Sequence, residues 1–192
     1  AIAITTVVFN RSALLFAGED GVAAVSIIMY LQFLCIGIYF GFSMGLSTPL
    51  GYAYGDRNFS VCRVLEKYAY RFFAIAPIIL YGCTYLLAPI GVRFFASPGS
   101  TVFDMAVSGL RLYGLGFLFS GINIFAAIRM MTYGKGYISG MITFLRSFAL
   151  LLLFLTVLPR FLELNGIWLA VPAAEILTLI VALWTLRKKT VA

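Results

Sequence analysis

The sequence has no histidine, 7 acidic residues in 192, 3 cysteines and only 11% charged residues. Each scarcity excludes something. Soluble domains carry about 25% charged residues, so no water-soluble domain fits this composition. Without histidine, a Ser–His–Asp triad and a His-containing zinc site are both excluded within the chain. Cys35, Cys62 and Cys83 are scattered and odd in number, so neither a disulfide framework nor a metal-ligand spacing is present. GxSxG, HExxH and phosphate-binding loops are missing as well. The residues point to no enzyme, no metal centre and no organic cofactor.

What is abundant is apolar length. Hydrophobic residues make up 62% of the chain and aromatic residues 16%, and the mean hydropathy is +1.03. Apolar stretches at about 22–48, 68–95, 105–131, 137–158 and 166–186 are each long enough to cross a hydrocarbon core of about 30 Å as a helix. A further stretch at 1–17 reaches only part of the way and ends at Gly18-Glu19-Asp20-Gly21. Its opening AIAITTVVFNRS lacks the basic start and cleavage site of a signal peptide, so the expectation is a first helix already under way. The fold class is an all-α membrane protein. The longest loop-like stretch, 51–67, mixes Phe59, Cys62, Val64 and Leu65 with Arg63, Glu66 and Lys67, which predicts a short amphipathic helix on the membrane surface.

The formal net charge of +7 does not mark a nucleic-acid binder, because the basic residues sit at span ends and form no single stripe. Alternating spans place Arg57, Arg63, Lys67, Arg71, Arg129, Lys135, Arg187, Lys188 and Lys189 on one side. Arg11, Arg93 and Arg160 fall on the other, and Arg111 and Arg146 fall inside spans. Nine basic residues against three is a positive-inside pattern. It predicts a cytoplasmic C-terminus.

Few polar residues lie inside the spans. Glu175 is the only carboxylate within one of them. An acid in hydrocarbon is costly, so Glu175 must face protein or water. Arg146 is its candidate partner, in either a fixed ion pair or a site of proton or cation exchange. Pro172, three residues earlier, opens the local backbone ladder. Asn123 needs hydrogen-bond partners at depth. Arg111 either snorkels to the headgroups or faces a wet cavity. Asn10, Tyr30 and Gln32 complete the polar candidates. Tyr39, Phe40, Phe42, Tyr113 and Phe117 offer ring faces for flat cations. Gly37, Gly41 and Gly45 recur every four residues and run on to Pro49, forming a smooth stripe for either static helix packing or sliding and bending. Gly114 and Gly121 play the same packing or hinge role in the fourth span.

Several phrases in order resemble the C-terminal half of a MATE transporter, the multidrug and toxic compound extrusion family, and its bacterial MepA- and DinF-like branch above all. These are GEDGVAAVSI, GFSMGLSTPLGYAYGDRN, GLRLYGLGFLFSGINIFAAIRMMTYGKGYISGMITFLRS and NGIWLAVPAAEILTLIVALW. The resemblance covers essentially the whole chain. It implies helices seven to twelve of a twelve-helix, two-lobe antiporter in the bacterial cytoplasmic membrane. It further implies export of organic cations or metabolites against a sodium or proton gradient. Its partners would be an N-terminal six-helix lobe, membrane lipids and amphipathic or cationic small molecules. Many members of the family use an acid early in helix seven, and some also use one in helix ten. The matching span here has none, which leaves coupling to Glu175 or to a carboxylate of the other lobe. A noncatalytic membrane scaffold or assembly subunit and a lipid-linked substrate flippase are the alternative readings.

Overall fold

Gly18 sets the first turn of the fold. Its φ of 62° and ψ of −152° lie in a region that only glycine enters without strain. The chain folds back on itself there. A Cβ on Gly21 would stand 2.8 Å from the Ala13 carbonyl oxygen, whereas eight residues of straight helix separate by about 12 Å. The computed structural model describes residues 2–187; Lys188 and Lys189 lie outside the described residues. Helix α1, Ile2–Gly55, therefore consists of two arms joined at Gly18. Helix α2 is Phe59–Arg93, α3 is Thr101–Tyr113 and α4 is Phe117–Thr132, with the 3₁₀ turn Gly114–Gly116 joining the last two. Helices α5, Gly136–Phe144, and α6, Leu150–Val157, are joined by the π turn Leu145–Ala149, and α7 is Pro159–Arg187. Among the described residues there is no strand, and five helical stretches are long and apolar enough to span a membrane. The protein is a multi-pass membrane protein.

The turn at α7 repeats the geometry at Gly18. Glu163 has φ 51°, and three residues later a Cβ on Gly166 would lie 2.5 Å from the Leu158 carbonyl oxygen. Both hairpins thus use a positive-φ residue, a glycine three positions on, and contact with the residue eight positions before that glycine. The sequence contains no obvious repeat, but the two reversals share one backbone solution. Glycine fills the strained position in the first, and glutamate fills it in the second.

The rod formed by α3 and α4 is the centre of the bundle. Within its most apolar window 67% of residues are buried, against 17% for α2. Small residues bring its neighbours close. A Cβ on Gly109 would meet Ile28 at 2.7 Å and Trp168 at 2.8 Å, and one on Gly121 would meet Phe73 at 2.8 Å. Gly114 starts the 3₁₀ turn, where a Cβ would sit 3.4 Å from Thr84 and Tyr81. Tyr39, Phe117, Phe125 and Trp168 are fully buried around the rod. Phe42 stacks on Phe72 with ring centres 3.8 Å apart. Tyr39 and Phe42 therefore pack in the core instead of lining an aromatic wall for cations, and Phe40 points outward.

The structure places the glycine stripe and corrects the reading of residues 51–67. Gly37, Gly41 and Gly45 meet no atom within 4 Å, and with Pro49 they lie on the exposed face of α1. Among the described residues the stripe packs against nothing. The stretch 51–67 is not a surface loop followed by a separate amphipathic helix. Helix α1 continues to Gly55, three residues turn, and α2 starts at Phe59 and runs through the membrane. Asn58 caps α2: its side-chain oxygen accepts from the Val61 N–H at 3.3 Å.

That same region holds an ion pair. Glu66 accepts from Arg129 Nε at 2.5 Å and from the Tyr133 hydroxyl at 2.6 Å. Side-chain exposures are 4% for Arg129 and 13% for Glu66, so Arg129 is a buried tie between α4 and α2 and does not act as a surface topology charge. Tyr54 packs on Tyr133 with ring centres 4.4 Å apart, which adds the end of α1 to the same node. Burial pushes the Tyr133 phenol above its ordinary range, and the bond to Glu66 pushes the same way. The phenol therefore stays a proton donor.

Two outcomes follow for thermal unfolding of the full-length protein in detergent. Glu163→Gly is expected to raise the midpoint by relieving strain of about 1–3 kcal/mol, and Gly166→Ala to lower it by forcing backbone apart, on the order of 1–3 kcal/mol. Arg129→Met alone leaves a bare buried carboxylate and is expected to cost about 3–5 kcal/mol, most of it recovered in Arg129→Met/Glu66→Gln. Additive losses in the double variant would show that the two residues do not form one unit.

Candidate functional site

Three spans converge on one carboxylate. Glu175 projects from α7, Asn123 from α4, and Arg146 from the π turn between α5 and α6. Glu175 lies 12 residues from each of Glu163 and Arg187, and therefore about 18 Å from either end of its span. That is the middle of its span. Arg146 Nη2 donates to Glu175 Oε1 at 2.5 Å, and its Nε donates to Oε1 at 3.1 Å and Oε2 at 3.4 Å. Asn123 Nδ2 donates to Glu175 Oε2 at 2.7 Å and to the Glu175 main-chain carbonyl at 2.9 Å. Both of those partners are pure acceptors, which fixes the amide orientation. Asn123 Oδ1 then points away from them, buried and without a hydrogen bond, as is Ser120 Oγ one turn earlier on α4.

The π turn explains why Arg146 sits where it does. Leu150 N–H bonds to the Leu145 carbonyl, five residues back, so the helix widens by one residue locally. Such turns occur often at functional sites. The widening rotates Arg146 toward α7, although the sequence around it, FLRSFALLL, reads as ordinary helix.

Beside the ion pair is a cavity of about 200 Å³, lined by Gln32, Tyr113, Ser120, Arg146 and Glu175 together with apolar residues. The Tyr113 hydroxyl donates to Gln32 Oε1 across this space. Gly116 lets α7 approach the central rod, for a Cβ there would stand 3.1 Å from Val171 and 3.5 Å from the nitrogen of Pro172. The ion pair itself is neutral overall. Its charges are satisfied by each other and by Asn123, as a buried pair requires.

The structure gathers Gln32, Asn123, Arg146 and Glu175 into one site, with Pro172 at its edge. Three other sequence candidates lie elsewhere. Asn10 borders an open recess with Arg11 and Glu19, between the two arms of α1. Tyr30 is exposed and stacks parallel to Phe95, with ring centres 6.0 Å apart. Arg111 neither snorkels free nor reaches the cavity. Its Nε donates to the Tyr85 carbonyl at 3.3 Å and its guanidinium sits 4.8 Å from the Tyr85 ring centre. The reason lies four residues along α2: Pro89 has no N–H, so the Tyr85 carbonyl lacks its helical donor. Arg111 supplies a replacement.

Sequence reasoning missed the hydrogen-bonding role of Tyr113 and the whole Glu66–Arg129–Tyr133 node. Tyr113 stood out only as a ring. Glu66 and Arg129 are 63 positions apart, and each lies near a span end, where topology charges are expected. Nothing local to either residue signals the pairing.

Comparison with known proteins places this arrangement. The MatE family profile matches residues 2–158. An outward-facing multidrug resistance MATE family transporter of the MOP superfamily is 22% identical, with a TM-score of 0.86 over 96% of this chain and 42% of its own. An inward-facing structure of a transporter of that description is 21% identical, with a TM-score of 0.87 over 96% of this chain and 43% of its own. A MOP superfamily transporter from Pyrococcus furiosus, described as having a binding pocket of reverse polarity, is 22% identical, with a TM-score of 0.86 over 96% of this chain and 42% of its own. This chain thus spans less than half the length of those transporters. No curated protein matches it. The family profile covers most of the sequence and the fold is that of the solved MATE structures, so the chain belongs to the MatE family.

Proposed function

We propose that this chain is the C-terminal lobe, helices seven to twelve, of a cation-coupled multidrug antiporter of the MepA- and DinF-like branch. In this reading it exports organic cations or metabolites across the bacterial cytoplasmic membrane, with its C-terminus in the cytoplasm. The N-terminal six-helix lobe faces it across the substrate path, and a sodium or proton gradient supplies the driving force. Transport belongs to the paired lobes, and the protein acts as a secondary active transporter, not as an enzyme.

One observation carries this reading: a mid-span carboxylate, paired with a guanidinium and held by a buried amide, opens onto a partly polar cavity. Ionisable residues at that depth mark substrate or ion pathways. The reading also draws on fold likeness. This chain fits an outward-facing and an inward-facing structure almost equally, at TM-scores of 0.86 and 0.87. A lobe that keeps its shape between the two states suits rigid-body rocking around a central site. A membrane scaffold would need only packing contacts, and those are better met by apolar residues than by a buried ion pair.

The test is ethidium efflux from vesicles holding the full two-lobe protein, with sodium and proton gradients imposed separately. One of the two gradients is expected to drive efflux, and Glu175→Gln is expected to cut the rate about tenfold or more at equal amounts of folded protein. Absence of gradient-driven efflux for any cationic probe, or a Glu175→Gln variant with unchanged coupling, would count against the reading.

A further inference from the structure

Arg146 and Glu175 are unequal partners. Glu175 is held twice by Asn123, once at its carboxylate and once at its main-chain carbonyl. Arg146 grips the carboxylate alone and makes no bond to the Glu175 main chain. Its side chain is also the more exposed, 13% against 6%, and both partners line the cavity. The turn that carries Arg146 has one residue too many for a regular helix. Moving that extra residue along the chain turns a side chain by about 100°.

Near the carboxylate, α4 carries two oxygens without partners among the described residues, and one of them belongs to Ser120, on the wall of the same cavity. Asn123 Oδ1 and Ser120 Oγ are both buried and make no hydrogen bond. They lie three residues apart on one face of α4. Asn123 is 0% exposed and Ser120 2%, so neither faces bulk solvent, and Ser120 borders the cavity. Orphaned oxygens at such burial require a cause. A rotation of the Asn123 amide would turn Oδ1 toward the carboxylate in place of Nδ2. Carboxylate, amide and hydroxyl oxygens together are donors that suit a small hard cation.

We propose that Arg146 is a tethered guanidinium that exchanges with a sodium ion at Glu175. This rests on the antiport reading above and gives that reading a physical step. When sodium takes the carboxylate, Arg146 turns out into the cavity and places its positive charge there. A bound organic cation is then repelled from the cavity wall. When the organic cation returns, Arg146 goes back to Glu175 and sodium leaves. The carboxylate is neutralised in both states, and in the sodium-bound state the net positive charge is the guanidinium in the cavity. Gln32, on the cavity wall, offers an acceptor to the released guanidinium.

Sodium titrations of the full two-lobe protein, followed by thermal unfolding at constant ionic strength with choline, test the exchange. Subtracting the Glu175→Gln titration isolates the part that depends on this site. Arg146→Met removes the competitor and is expected to lower the Glu175-dependent sodium midpoint about tenfold. The gain disappears in Arg146→Met/Glu175→Gln, which also shows whether loss of the pair by itself is tolerated. In vesicles Arg146→Met is expected to bind sodium yet lose sodium-driven ethidium efflux. A purely structural ion pair would lower the stability of Arg146→Met and leave the sodium midpoint where it was, which overturns the proposal. Should Arg146→Met not fold, Arg146→Lys keeps the charge without the two-pronged grip and must show the same gain in smaller measure; no gain overturns the exchange. A wild-type protein that pumps, beside an unmoved midpoint in Arg146→Met, sinks the exchange alone. A wild-type protein without gradient-driven efflux sinks the antiport reading and the exchange with it.

Discussion

Within a bilayer every polar group must find its partner inside the protein, because lipid offers none. The irregularities of this bundle follow from that constraint. Pro89 removes one donor from α2, and the Tyr85 carbonyl it frees is met by Arg111. Close to the 3₁₀ turn between α3 and α4, the Phe117 carbonyl receives the hydroxyl of Tyr39 at 2.9 Å. The π turn brings an arginine to a carboxylate that would otherwise be bare. A long-range side-chain bond answers each of these positions, and each such bond ties two spans together. The polar requirement therefore also shapes the packing, fixing which faces of α1, α2 and α7 meet the central rod.

The central rod can take this role because its own side chains are small where neighbours cross it. Gly109 receives Trp168, Gly116 receives Val171, and Gly121 receives Phe73. Close approach carries Asn123 near enough to α7 to grip Glu175 by its main chain as well as its side chain. A bulkier rod would hold α7 away and break that double contact. Packing and polar satisfaction are thus one arrangement, with the glycines setting the distance and the amide using it.

The parts of this architecture written in local pattern were legible from the sequence. Apolar length and the placement of arginine and lysine gave the spans and their alternation, since both are set by the membrane and not by neighbours. The reversal at Gly18 was visible because glycine and acidic residues cluster there. Its counterpart at Glu163 was not, because the strained residue is a glutamate and the glycine that permits the contact comes three positions later. In the site, Glu175, Asn123 and Arg146 stood out as polar residues in apolar surroundings, and Arg146 was a candidate partner for Glu175. Their mutual geometry depends on a π turn that leaves no trace in FLRSFALLL. The glycine stripe at Gly37, Gly41 and Gly45 is a different case. Its spacing was plain, but spacing names no partner, and within the described bundle the stripe faces outward.

The two buried ion pairs divide the bundle into parts with different mechanical character. Glu66 and Arg129 lie toward the ends of their helices, three residues from the close of α4 and seven from the start of α2. There Tyr133 and Tyr54 close over them. Arg129 Nη1 is buried there without a hydrogen bond among the described residues. Glu175 and Arg146 lie well inside their spans, beside a cavity of about 200 Å³ lined by polar and apolar residues together. A pair in that position can trade one partner for another without exposing a charge to hydrocarbon. Both pairs are neutral, yet one closes a corner of the bundle and the other borders open space. Since burial penalises an uncompensated charge in either place, the difference lies in access. Access is set by how α1, the central rod and the π turn leave room beside Glu175.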